Sequence, residues 1–159
     1  MDLSEIKEID ILESEKEKWL LKKDDILVTE GGDWDKVGRG TIWRGEIPNC
    51  IHQNHIFSVR VSTNKLLPIY LSYLFSSPYG KKYFQLASKQ TTNLASINQK
   101  QLKSFIVMIP PLIEQSNIVS ILSSIDETVN SVQNAIESTR ALKMKLINTL
   151  LSPAEGDGN

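Results

Sequence analysis

No glycine or proline occurs between Leu112 and Ser152, and that absence decides what the stretch can fold into. From Ile118 onward the apolar residues recur at alternating spacings of four and three: Ile118, Leu122, Ile125, Val129, Val132 and Ile136. That is the seam of a heptad repeat. Thr139 and Lys143 interrupt it, and Leu146 and Leu150 restore it. The pattern predicts one helix over about 114–151, on the order of 55 Å long at ~1.5 Å per residue. A helix of that length cannot bury its own stripe. The sequence offers no second long helix, so the expected solution is a coiled-coil partner in another chain. A hairpin folded back on the preceding domain is the alternative. The closing SPAEGDGN (152–159) reads as a disordered, solvated tail.

The residues before this run carry a different texture, and the fold class they predict is α+β. EIDIL (8–12) alternates weakly, and ESEKEKWL (13–20) is long enough for one or two helical turns. Asp24 and Asp25 suggest a turn before the β-rich run Ile26, Leu27, Val28, Thr29. Thr41, Ile42 and Trp43 suggest another strand, and Cys50–Ile51 a further short one. The clearest strand is expected over 55–61, with Phe57, Val59 and Val61 inward and Arg60 wet on the opposite face. Pro68 suits a first helical turn, so PIYLSYLFS (68–76) reads as a helix. A second helix is expected over 79–87, a polar loop over 88–93, and a short helix over 98–103 with Asn98 as its N-cap. FIVMI (105–109) reads as a buried strand stopped by Pro110 and Pro111.

Composition matters chiefly through where the charge falls. The formal net charge is -1. Residues 1–35 hold five basic and twelve acidic side chains, residues 36–103 hold ten basic and one acidic, and residues 104–159 hold three basic and six acidic. A middle stretch at +9 inside a near-neutral chain suits a polyanion, or else an acidic protein partner. No apolar run approaches the ~20 residues of a spanning helix. The start, MDLSEIKEID, is acidic and lacks the basic n-region of a secretory signal. The single cysteine, Cys50, excludes a disulfide framework and fits a reducing compartment, so the expected location is cytoplasmic.

Signatures of catalysis are weak. The sequence has no P-loop, no G-x-S-x-G elbow and no H-E-x-x-H. Cys50, His52 and His55 lie close in sequence, but no second cluster closes a structural zinc site, and no metal is expected. Asp33, Asp35 and Lys36 faintly echo a metal-dependent nuclease, yet they sit between glycines rather than on a strand. What remains is a set of loops suited to recognition. GGDWDKVGRG (31–40) is glycine-rich and carries Lys36 and Arg39, and glycine allows close backbone approach to a phosphate. HQNH supplies His52, Gln53, Asn54 and His55 ahead of a strand. KQTTN supplies Lys89, Gln90, Thr91, Thr92 and Asn93. Amides read adenine edges, and Arg or Lys read guanine. Alternatively, these residues only cap turns. Phosphate contacts are assigned to Lys36, Arg39, Arg44, Lys81, Lys82 and Lys89, and base contacts to Gln53, Asn54, Gln90, Thr91, Thr92 and Asn93.

In that order, the motifs GGD-x-D-K-x-GRG, IHQNHIF, SPYGKK, the Thr-Thr-Asn loop and PPL-x-EQ span most of residues 20–151. Together they resemble the latter part of a target recognition domain, followed by the helical spacer, of type I restriction-modification specificity (S) subunits. The resemblance implies a domain order of a partial DNA recognition domain over 1–111, a coiled-coil spacer over 112–151 and the tail over 152–159. It implies a non-catalytic subunit that binds one half of a bipartite site on double-stranded DNA. The spacer would dock modification (M) methyltransferase subunits, and a restriction (R) subunit would join indirectly. S-adenosylmethionine, ATP and Mg would belong to those partners, with no cofactor in this chain.

Full S subunits of the family carry two recognition domains and two spacers. This chain matches one spacer and the latter part of one recognition domain, so it is expected to be a truncated or half-subunit product. It would then associate with another S chain or half-subunit through the seam, as a dimer. The alternative function is an assembly protein that pairs through its helix and no longer binds DNA by itself.

Overall fold

The computed structural model describes residues 3, 5–62, 64–90 and 94–151. The chain divides into two compact units, Met1–Val119 and Ser120–Asn159. In the first unit the order is α1 (Glu13–Trp19), β1 (Ile26–Thr29), β2 (Gly31–Asp33), β3 (Gly40–Ile42), β4 (Ile56–Val59), α2 (Pro68–Ser76), α3 (Pro78–Ala87), β5 (Lys89–Gln90), β6 (Leu94–Ser96) and α4 (Gln99–Lys103). A last helix, α5 (Leu112–Leu151), begins in the first unit and supplies the second. An α+β domain followed by a long C-terminal helix is therefore the architecture found.

Two small antiparallel sheets organise the first unit. One has the order β3-β1-β4, with Ile26 opposite Ile42 on one side and Val59 on the other. The other has the order β2-β6-β5, with Gly31 opposite Ser96 and Asp33 opposite Leu94. Alternation sets the inner face of the first sheet. Ile26 and Val28 are buried, and Phe57, Val59 and Val61 pack against the same core, as period-two patterning requires. Helices α2 and α3 cover it with Leu71, Leu74, Phe75 and Phe84. The aromatic centre is ordered: Phe84 stacks on Phe105 at 5.4 Å, and Phe75 meets both rings edge-on.

The helix boundaries follow local chemistry. Pro68 opens α2 with its ring at a position where an N–H would be an orphan anyway. The Ser77 hydroxyl oxygen accepts from the Gly80 N–H at 3.2 Å and caps α3. Gly80 is required there, because a Cβ would sit 2.4 Å from the carbonyl oxygens of Leu74 and Phe75. Asn98 and Gln101 form a reciprocal capping box on α4.

Three expectations are corrected. The run 105–109 is not a strand: Phe105 is buried, but Ile106 is 73% exposed and no ladder forms. Its carbonyls are taken instead by tyrosine hydroxyls, with Tyr79 donating to Ile106 at 2.9 Å and Tyr70 to Met108 at 3.1 Å. The stretch 88–93, expected as a loop, supplies β5, which pairs with β6. Arg60 is not simply wet. Its Nε donates to Asp25 Oδ1 at 2.7 Å and its Nη2 to Asp25 Oδ2 at 2.5 Å.

Helix α5 starts inside the first unit. Gln115 is fully buried, and all its polar atoms are engaged. Its Oε1 accepts from the Leu67 N–H at 2.9 Å, and its Nε2 donates to Lys65 O at 2.9 Å and Pro110 O at 2.7 Å. Ile118 and Val119 complete the contact with the core. In the second unit the seam positions Ile125, Val129, Val132, Ile136, Leu146 and Leu150 are all exposed. The expected tail over 152–159 lies outside the described residues.

Candidate nucleic-acid interface

Two of the loops singled out from the sequence, 31–40 and HQNH, are tied together at one residue. Glu30, between β1 and β2, accepts at its main-chain carbonyl from the Ile97 N–H at 2.8 Å. Its own N–H donates to the His55 carbonyl at 2.9 Å. Its side chain also lies 3.1 Å from His55 Nδ1. These bonds join the residue that opens the 31–40 loop to the HQNH turn and to Ile97, just after β6. Gln53, Asn54 and His55 are exposed along that junction. Lys89 is exposed on β5, opposite Ser96. Thr91, Thr92 and Asn93 lie outside the described residues, as does the Gln90 side chain.

The 31–40 loop is tied down, and glycines in it serve packing within the domain. Gly31, Gly32 and Asp33 form β2 against β6. Val37 is buried, and Thr29 Oγ1 donates to Lys36 O at 3.1 Å. Gly38 has φ +74° and packs so tightly that a Cβ would lie 2.3 Å from the Phe84 ring. Only glycine satisfies both demands without strain. The loop's cations are also engaged. Lys36 pairs with Asp33, and Arg39 Nη2 lies 3.2 Å from Asp35 Oδ2. The hydrogen bond and charge of Lys36 hold the Asp33 carboxyl below its ordinary range, and Asp33 in turn holds the Lys36 ammonium above its own.

The remaining candidates are placed separately. His52 is half-buried, edge-on to Trp19 with centroids 6.1 Å apart, while its Nδ1 lies 3.1 Å from Gln53 O. Arg44 is exposed in the turn after β3, and Lys81 and Lys82 are exposed on α3. No ion pair engages Arg44, Lys81, Lys82 or Lys89 among the described residues. Among those residues no His, Cys, Asp and Glu cluster could hold a metal ion. Burial, with Glu46 nearby, pushes the Cys50 thiol up, which disfavours the thiolate a metal would need.

Sequence reasoning did not single out Glu30, because a lone glutamate after a strand carries no signal. The ion pairs within 33–39 were not anticipated either, although an acid three or four residues before a base is a spacing at which side chains meet around a turn of helix-like backbone.

Comparison with known proteins follows the same residues. The family model for the type I restriction modification DNA specificity domain matches residues 5–138. A putative type I restriction enzyme MjaX specificity subunit from Methanocaldococcus jannaschii is 31% identical over 143 residues, covering 90% of this chain and 34% of the relative. The type I restriction enzyme EcoKI specificity subunit of Escherichia coli is 26% identical over 156 residues, 97% of this chain and 33% of the relative. The StySPI specificity subunit from Salmonella potsdam is 27% identical over 140 residues, 84% of this chain and 30% of the relative. The chain thus spans about a third of the length of the curated relatives it matches.

Proposed function

The chain belongs to the type I restriction modification DNA specificity domain family, and from that footing we propose that it reads DNA sequence for a methylation and restriction complex. It is a non-catalytic specificity component that binds one half of a bipartite site on double-stranded DNA. The observation that supports this reading is the Glu30 junction, which bonds the start of the 31–40 loop to the HQNH turn and to Ile97, beside a stretch of residues 36–103 at +9. Arg44, Lys81, Lys82 and Lys89 supply phosphate contacts, and Gln53 and Asn54 supply amides for base edges. The exposed seam of α5 binds M subunits or another S chain or half-subunit, with R joining through that assembly. S-adenosylmethionine, ATP and Mg belong to those partners. The working compartment is the cytoplasm; no helix among the described residues is long and apolar enough to cross a membrane.

Fluorescence anisotropy with labelled duplex across a salt series tests the DNA reading. Four free cations engaging phosphates give a slope of about −3 to −4 in log affinity against log salt, at ~0.9 per phosphate. A flat salt response overturns it. Two observations favour a second reading, in which the chain only assembles: the apolar face of residues 120–151 is bare, and the Lys36 and Arg39 charges are already paired. That reading expects a dimer or heteromer by light scattering with negligible duplex affinity.

A further inference from the structure

The tip of the 31–40 loop offers something other than positive charge. From Asp33 to Arg39 two carboxylates face two cations, so the segment is neutral. Between the carboxylates stands Trp34, 44% exposed. The segment is rigid on both sides. Asp33 closes a β-ladder, the Lys36 N–H donates to Asp33 O at 2.8 Å, and Val37 and Gly38 are packed into the core. Each carboxylate gives one oxygen to its cation. The other oxygen has no hydrogen-bond partner among the described residues.

Resting on the DNA-binding reading above, we propose that Asp33-Trp34-Asp35 is a base-reading element that selects cytosine in the major groove. A fixed carboxylate is repelled by phosphate and tolerated only at base edges that present donors. Guanine shows two acceptors there, thymine one, and adenine a donor beside an acceptor; cytosine alone shows an amine with no acceptor of its own. Lys36 and Arg39 orient the carboxylates and cancel their charge, so the tip enters the groove without net repulsion. The hydrogen bond and charge of Lys36 hold the Asp33 carboxyl below its ordinary range, so at neutral pH it is acceptor-only. Trp34 supplies a broad apolar face for contact with a neighbouring base edge, such as a thymine methyl, or with sugar. The loop is already held in one conformation, so little ordering entropy opposes binding.

The test is selection of bound sequences from a random duplex pool, with the full chain and with Asp33→Asn, Asp35→Asn, Trp34→Ala and Trp34→Phe. The unsubstituted chain is expected to select a site containing a required cytosine. An amide both donates and accepts, so at least one Asp→Asn variant should shift that position toward adenine, with about a tenfold or greater loss of cytosine preference and no change elsewhere. Trp34→Ala should weaken all sequences about tenfold, and Trp34→Phe should largely restore them. Circular dichroism melting checks that each variant folds. A consensus unchanged in both Asp→Asn variants, or Asp→Asn variants whose affinity shifts uniformly across sequences, overturns the proposal and leaves the DNA-binding reading standing. If the unsubstituted chain selects nothing, that reading fails and takes this one with it.

Discussion

The two sheets of the first unit each carry acid–base pairs, and they use them in opposite ways. In β3-β1-β4 the carboxylate of Asp25 is completely buried. It takes two bonds from Arg60 and one at 2.8 Å from the Lys22 N–H. Beside β2-β6-β5, the Asp33–Lys36 and Asp35–Arg39 pairs are about half exposed on all four side chains. A buried carboxylate without its cation is an uncompensated charge, so the first pair is part of the frame. Exposed pairs gain little over solvation and can trade partners at small cost. Burial, more than the chemistry of the groups, separates an ion pair that holds the fold from one free to meet a ligand.

Breaking the buried pair has the largest expected effect. Asp25→Ala removes the partner of Arg60 and of the Lys22 N–H, and should cost about 3 kcal/mol in chemical denaturation. Arg60→Met, which strands the buried Asp25 carboxylate, should cost a similar amount, and the double variant should cost clearly less than the two losses together, because a pair removed together leaves no buried orphan charge.

Next comes the backbone that supports the exposed pairs. Gly38→Ala combines a left-handed φ with a collision against Phe84, and should cost about 2–3 kcal/mol. Gly32→Ala, with φ +141° but open space around it, should show backbone strain alone, about 1–2 kcal/mol. A smaller difference between the two would mean that the Phe84 contact yields.

Acid titration sharpens the contrast further. Burial pushes the Asp25 carboxyl up, but the bonds from Arg60 and Lys22 outweigh it and hold the group below its ordinary 3.8. A depressed carboxylate contributes stability that is fully present above its unfolded value and is lost as pH falls through the folded one. The stability of the chain should therefore decline below about pH 4. In Asp25→Asn that part of the decline should be missing from a denaturation series.

The smallest expected effect is on the exposed pairs. Asp33→Asn or Lys36→Met should alter folding stability by less than about 0.5 kcal/mol. A loss above 1 kcal/mol, by the same denaturation measurement, would erase the distinction between the two sheets.

Much of this frame was legible beforehand. Pro68 marked the start of α2, Asn98 its cap on α4, and the glycine-free run the last helix, because each rests on local chemistry that acts over a few residues. What escaped notice depends on distant partners. FIVMI looks like a strand, yet no sheet edge reaches it and tyrosine hydroxyls take its carbonyls. Lys89 and Gln90 look like loop, yet β6 pairs with them. Asp25 looks like a turn residue until Arg60, thirty-five positions later, arrives beside it. The candidate interface was legible as residue types in loops; that two of those loops share a junction was not, since Glu30 makes two of its three links through the main chain.

Main-chain links of that kind have a bearing on how such a surface can change. Any residue except proline presents the same N–H and C=O at position 30, and Ile97 and His55 also contribute backbone atoms to those two bonds. Side chains around the junction are therefore free to be rewritten without moving the segments that display them. On the proposed DNA-reading role, a lineage would exchange one preferred DNA word for another by altering the letters on the tips while inheriting the spacing between them intact.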